Sequence, residues 1–242
     1  MAVLSVGLGK PYSTIAAAVA AAQNGDTIEV QAGTYTNQYA SISKNITLKG
    51  VGGRVEMVST VLIPNGKAIF ITNGNITIEN FTFSGARVAD RNGAGIKHES
   101  GNLVLNNDGF FNNEMGVLTG NTGLGSLTVN NSEFAYSGAA PGTSAIGHNL
   151  YAGRLATLTV NNSYFHDAKV GHEIKSRALS TTITNSRVYD LNATASLSID
   201  LPNGGNAVIR NNVIEQGPLS PNSKIVSYGA DGHFNPGTNF LI

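Results

Sequence analysis

Cysteine and tryptophan are both absent from the 242 residues, and charged residues are scarce at 12%, against roughly 25% in an ordinary soluble domain. Without cysteine there are no disulfides and no thiolate-bound zinc, although the compartment stays open. The 15 basic and 15 acidic residues cancel. Zero net charge argues against a nucleic-acid partner, which calls for a basic patch or stripe. No apolar run approaches the roughly 18 residues of a membrane span. The opening MAVLSVGLGK lacks the basic-then-apolar layout of a secretory signal, so an exported form would carry its signal elsewhere or have lost it.

What is plentiful instead is glycine, with 29 residues, and asparagine, with 28. Both accept left-handed backbone readily, which suggests tight turns at regular intervals. One phrase recurs: ITIENFTF, LVLNNDGF, LTVNNSEF, LTVNNSYF, TTITNSRV and AVIRNNVI. Aligning the copies puts Asn80, Asn107, Asn131, Asn162, Asn185 and Asn211 in one column, with steps of 27, 24, 31, 23 and 26. Each copy reads as a short strand, a polar corner and another short strand, and no helical period runs through them. Short strands at this repeat length fit a parallel β-solenoid. The asparagines then supply the positive φ of a two-residue corner and stack into an amide ladder at about 4.8 Å per coil.

These features resemble the right-handed parallel β-helix of the pectate-lyase-like superfamily over most of the chain. The opening segment GKPYSTIAAAVAAAQNGDTIEVQAGTYTN resembles the amphipathic cap helix and first coil of such proteins. Ser13 or Thr14 would cap that helix, and Asn24 with Gly25 would stop it. The reading is one all-β domain over 1–242. A cap helix occupies about 11–24, coils occupy about 26–228, and a final coil or tail occupies about 229–242.

The strand before each phrase gives further columns. Ile96, Val117, Leu150, Ile174 and Ile199 align as inward residues, and alternation sends their neighbours outward. One outward column reads Gly95, Gly116, Asn149, Glu173, Ser198, and the other Lys97, Leu118, Tyr151, Lys175, Asp200. Arg177 lies one step further on the same face. Among so few ionisable groups, VGHEIKSRA (170–178) is a concentration. The outer patch comprises Asn149, Tyr151, Glu173, Lys175, Arg177 and Asp200. By resemblance this strand forms the floor of a polysaccharide groove, walled by loops near 84–94, 112–124, 135–147 and 189–195.

The chemistry suited to that patch is β-elimination or epimerisation of a uronic acid in an acidic polysaccharide. A cation must neutralise the carboxylate, a base must take the C5 proton, and an acid must serve the leaving oxygen. Lys175 or Tyr151 is the candidate base and Arg177 the counter-charge. Asn149, Lys97, His172, His148, Glu173 and Asp200 are candidates for holding substrate. A lysine base needs a lowered pKa, which Arg177 promotes and Asp200 opposes. Similar Lys, Arg and Tyr sets occur in chondroitinase-B-like and alginate-lyase-like members. The short motifs of mannuronan C5-epimerases and the Arg-x-Pro-x-x-Arg pattern of many pectate lyases are missing.

An inverting glycoside hydrolase is the rival, with Glu173 and Asp200 at about 7–9 Å; GHE and EIKS echo polygalacturonases, whose paired aspartates are absent. Calcium is a candidate cofactor at Glu173 and Asp200, since it prefers several oxygen ligands. His148 and His172 occupy equivalent places and should stack at a corner, as a structural ladder or for proton transfer. His98 should face the interior. A non-catalytic glycan-binding or structural solenoid with a solvated salt-bridged face is the reading from outside enzymology. In each case the resemblance implies a secreted or surface location.

Overall fold

Alternation along each short segment decides which side chains are covered. In Ser126–Asn130, Leu127 and Val129 are fully buried while Ser126, Thr128 and Asn130 stay partly exposed. A sequence of period two can only lie flat in a sheet, and these segments stack in parallel. Leu127 aligns with Leu103 on one side and Leu158 on the other. The computed structural model describes residues 1–139 and 146–242.

The chain is a parallel β-helix whose coils each contribute three short strands. The first face is an eight-stranded sheet, one strand per coil, running from Ala40–Ile42 to Val226–Tyr228. The second face holds Ser126–Asn130 and its counterparts, and the third holds Glu133–Ala135 and its counterparts. These two join through the long bent strand Thr47–Val58. Between second and third faces sits the asparagine column. All six members adopt positive φ, from 48° to 65°.

The expected amide ladder forms in pairs. Asn162 donates to Asn131 at 2.7 Å and Asn107 to Asn80 at 2.6 Å, whereas Asn185 turns to Asn161 at 2.9 Å. A continuous ladder runs one residue further on, at buried Asp108, Ser132, Ser163 and Ser186 and then Asn212. Each side-chain oxygen accepts the backbone N–H of the coil before it, at 2.7 to 3.2 Å from Phe81 to Asn212. An orphaned buried N–H costs about 1–3 kcal/mol, so this file of bonds fixes the corner register.

Inside the third face, Phe83, Phe110, Phe134 and Phe165 stack with centroids 5.2, 4.5 and 4.6 Å apart. They belong to one apolar core that extends from Val6 to Ala207. The only helix among the described residues is Ile15–Ala21, shorter than the expected 11–24. Thr14 caps it by accepting from Ala17 N–H, and Ile15, Ala18 and Val19 are buried against the first strands. Lys44 donates to the carbonyls of Val19 and Ala20 at its other end. The chain's last strand, Phe240–Leu241, pairs with Asn206 and Ala207 as a further second-face rung. No helix of the described residues is long and apolar enough to cross a membrane.

Candidate functional site

Three adjacent first-face strands, Leu150–Ala152, His172–Ser176 and Leu197–Leu201, build the patch. Their registers match the sequence columns: Leu150, Ile174 and Ile199 align inside, and Tyr151, Lys175 and Asp200 align outside. Because one side chain stands above the next, groups far apart in sequence meet. Lys175 Nζ donates to Asp200 Oδ2 at 2.7 Å and lies 5.9 Å from the Tyr151 ring centre. Arg177 Nε donates to the Tyr151 hydroxyl at 3.0 Å.

Arg177 is held further by two residues that sequence reasoning missed. Its Nη1 donates to Asn203 Oδ1 at 2.6 Å and to Asp231 Oδ2 at 2.7 Å. The Arg177 hydrogen bond holds Asp231 below the ordinary carboxylate range. Neither partner falls in a repeat column, since both come from the segments after the first-face strands. Only the unbalanced charge of Arg177 hinted that a partner was due.

Beside this cluster, His148 and His172 stack with centroids 4.8 Å apart and planes at 10°, as the sequence columns implied. The His172 backbone N–H donates to His148 Nδ1 at 3.1 Å, which places the His148 proton on Nε2. His148 also meets Tyr151 edge-on at 5.3 Å. Burial pushes His148 well below the ordinary histidine value, with His172, Lys175 and Arg177 adding to the effect. Burial takes His172 down to about 4, against the opposing pull of Asp200. His172 Nδ1 is buried without a hydrogen-bond partner, 3.8 Å from Asp200 Oδ2.

The other expected outward column is interior. Gly95, Gly116, Asn149, Glu173 and Ser198 are all buried, Asn149 and Glu173 fully. Each strand starts at a corner where two successive residues turn inward: His172 stays with the outer cluster, whereas Glu173 turns beneath the third face beside inward Ile174. A Cβ on Gly95 would come within 3.0 Å of Phe83 and Phe110. Asn149 accepts from Ser137 N–H and donates to the His166 carbonyl and to Glu173. Glu173 also accepts from Ala168 N–H at 2.8 Å. Burial pushes its carboxyl up to about 8, with these two hydrogen bonds opposing.

Neither Asn149 nor Glu173 therefore faces a ligand from outside. The pairing of Glu173 with Asp200, as acid and base or as calcium ligands, loses its first member to the interior. Among the described residues no three His, Asp or Glu side chains converge as a metal cage would need.

Lys97 stands in the Tyr151 column two rungs away, roughly 10 Å, with Leu118 between them. It donates to the Thr119 carbonyl and lies 3.7 Å from Glu99. Burial lowers its pKa, with Glu99 opposing. Lys97 is thus outside the cluster. His98 is fully buried and bonded to Thr72 Oγ1 at 2.9 Å. The expected wall 112–124 is interrupted by the strand Met115–Thr119, and 135–147 falls partly outside the described residues.

No protein-family model matches the chain, and no curated protein does. Among solved structures, pectate lyase Pel9A superposes with a TM-score of 0.55 at 15% identity, covering 88% of this chain and 70% of that one. A mutant of the PL6-family alginate lyase AlyGC gives a TM-score of 0.58 at 14% identity, covering 100% of this chain and 40% of that one. At such identities the likeness is one of fold: the chain shares the parallel β-helix of these two enzymes, as its repeats implied.

Proposed function

We propose that this is a carbohydrate-active β-helix protein, acting outside the cell or on its surface, that cleaves a uronate-containing polysaccharide by β-elimination. One observation carries the reading. In a chain with few charges, Lys175, Arg177 and Tyr151 meet on one outer face: Arg177 bonds Tyr151, Lys175 lies 5.9 Å from the Tyr151 ring centre, and Asp200 holds Lys175 while Asn203 and Asp231 hold Arg177. The two structural neighbours that share this fold are named as lyases of pectate and of alginate, which supports the substrate class.

We reassign the roles within the trio on the following support. A lysine acting as base must present a lone pair, and Nζ of Lys175 instead donates to Asp200. Tyr151 has no carboxylate partner, and its oxygen already receives Arg177 Nε–H. Tyr151 is therefore the group assigned to proton transfer. Lys175 and Arg177 supply the positive charge that neutralises the substrate carboxylate and makes its C5 proton removable. Loss of that proton and cleavage of the C4–O bond leave a C4–C5 double bond, and the departing oxygen takes up a proton.

The test is incubation with alginate, pectate and glycosaminoglycans while following ultraviolet absorbance of the unsaturated product. Absorbance that grows with wild type and not with Tyr151→Phe supports the reading. New reducing ends without absorbance would replace it with hydrolysis. A second reading has its own support: both cations already hold a carboxylate, Asp200 and Asp231. Polymer binding with no cleavage of any kind would make the protein a glycan-holding solenoid.

A further inference from the structure

The third face carries a second concavity, of about 210 Å³, against the asparagine corner. Its walls include Arg54, Asn131, Glu133, Asn162, Tyr164 and Arg187. Two of its three charged side chains are arginines, and they are not equivalent. Arg54 is spent on the Asn107 carbonyl and side chain. Arg187 lies exposed with its guanidinium 4.4 Å from the Tyr164 ring centre. Tyr164 is itself backed by His166, stacked at 4.2 Å. This pile holds the guanidinium in place, and among the described residues no hydrogen bond or ion pair engages its N–H groups.

The polar groups around it are also incomplete. Asn162 donates to Asn131, yet Asn185, the next member of the column and itself on the wall, donates to Asn161 instead. The side-chain ladder therefore breaks at this step and leaves Asn162 Oδ1 without an amide partner. Glu133, the acidic wall residue, is turned onto His166 Nε2 at 3.1 Å. A fixed planar cation with open donors, beside amide acceptors and donors, matches a ring bearing a carboxylate and hydroxyls.

We infer that this concavity is a second binding site, separate from the Tyr151–Lys175–Arg177 face, which takes the carboxylate of an acidic sugar on Arg187. Two parallel N–H···O bonds from one guanidinium would set its preference for carboxylate over a neutral ring. The inference does not depend on catalysis at the first face.

Calorimetric titration with trigalacturonate, trimannuronate and neutral cellotriose tests it, in an Arg177→Ala background that weakens the first face. At least one carboxylated trisaccharide should bind there with one site per chain. Adding Arg187→Ala should weaken that binding tenfold or more, and Arg187→Lys, which keeps charge but not the fork, severalfold. The lysine variant decides the matter where the alanine variant does not fold. The site is overturned if neither carboxylated trisaccharide binds, if both Arg187 variants bind as the background does, or if cellotriose shows the same dependence on Arg187.

Discussion

Lys175 and Glu173 stand two residues apart on one strand in opposite surroundings, and each gives a measurable prediction. The Lys175 and Asp200 side chains are only 15% and 7% exposed, so Lys175→Ala strands a buried carboxylate. Breaking such a pair costs about 3–5 kcal/mol. The double variant with Asp200→Asn should regain most of that stability while staying at least about a hundredfold less active. Denaturant midpoints and turnover measured together separate the two losses; activity restored with stability would remove Lys175 from the site. Glu173, at about 8 in the folded protein against an ordinary 4.5, holds a proton between those values that the unfolded chain has lost. Stability then falls as pH rises across that window, by up to about 1.4 kcal/mol per pH unit. Glu173→Gln cannot ionise and should flatten the slope in urea denaturation from pH 5 to 9; parallel profiles would show that Glu173 is ionised throughout. His172, at about 4, acts on the other flank, where stability is lost as pH falls from its ordinary 6.5 toward that value.

A corner is held by two files of side chains that the sequence presents as one phrase, NNS. The exposed asparagines set backbone conformation, while the buried serines carry the bonds between coils. Ser163→Ala removes the acceptor for Ser132 N–H and the donor to the Asn161 carbonyl, and should cost about 1–3 kcal/mol. Asn162→Gly keeps the positive φ of 48° and should cost only a few tenths to about 1 kcal/mol, whereas Asn162→Leu should cost more. Equal losses for Ser163→Ala and Asn162→Gly, read from denaturant midpoints, would contradict this division of labour. The registers are legible because stacked rungs must repeat their apolar positions, as Ile96, Val117, Leu150, Ile174 and Ile199 do. Asn149 and Glu173 were misread because alternation holds only once a strand has left its corner. The two glycines above them, Gly95 and Gly116, were the available signal: a column with no room for Cβ faces the interior. Asn203 and Asp231 were not legible, as non-repeating segments carry no register.

Cohesion in the whole molecule is unevenly distributed along the coil axis. The stacked phenylalanines end at Phe165, and the same column continues as Val188 and Ile214. Beside and beyond it Val213, Leu219, Ile225 and Phe234 are exposed, and Val213–Glu215 and Val226–Tyr228 are edge strands of their sheets. Amide hydrogen exchange should therefore be faster in those two strands than in Gly109–Phe111 or Tyr164–His166 by local opening. Phe134→Ala, in mid-stack, should cost about 3–5 kcal/mol. Uniform exchange along the axis would mean that the coils open as one body. The same stack has a mechanical meaning. A chain pulled by its two ends would shed its C-terminal coils first, at low force, in steps of one coil's contour length. The trace should then meet a single high peak when the ring-to-ring column gives way, so the phenylalanines act as the molecule's strain limit under tension.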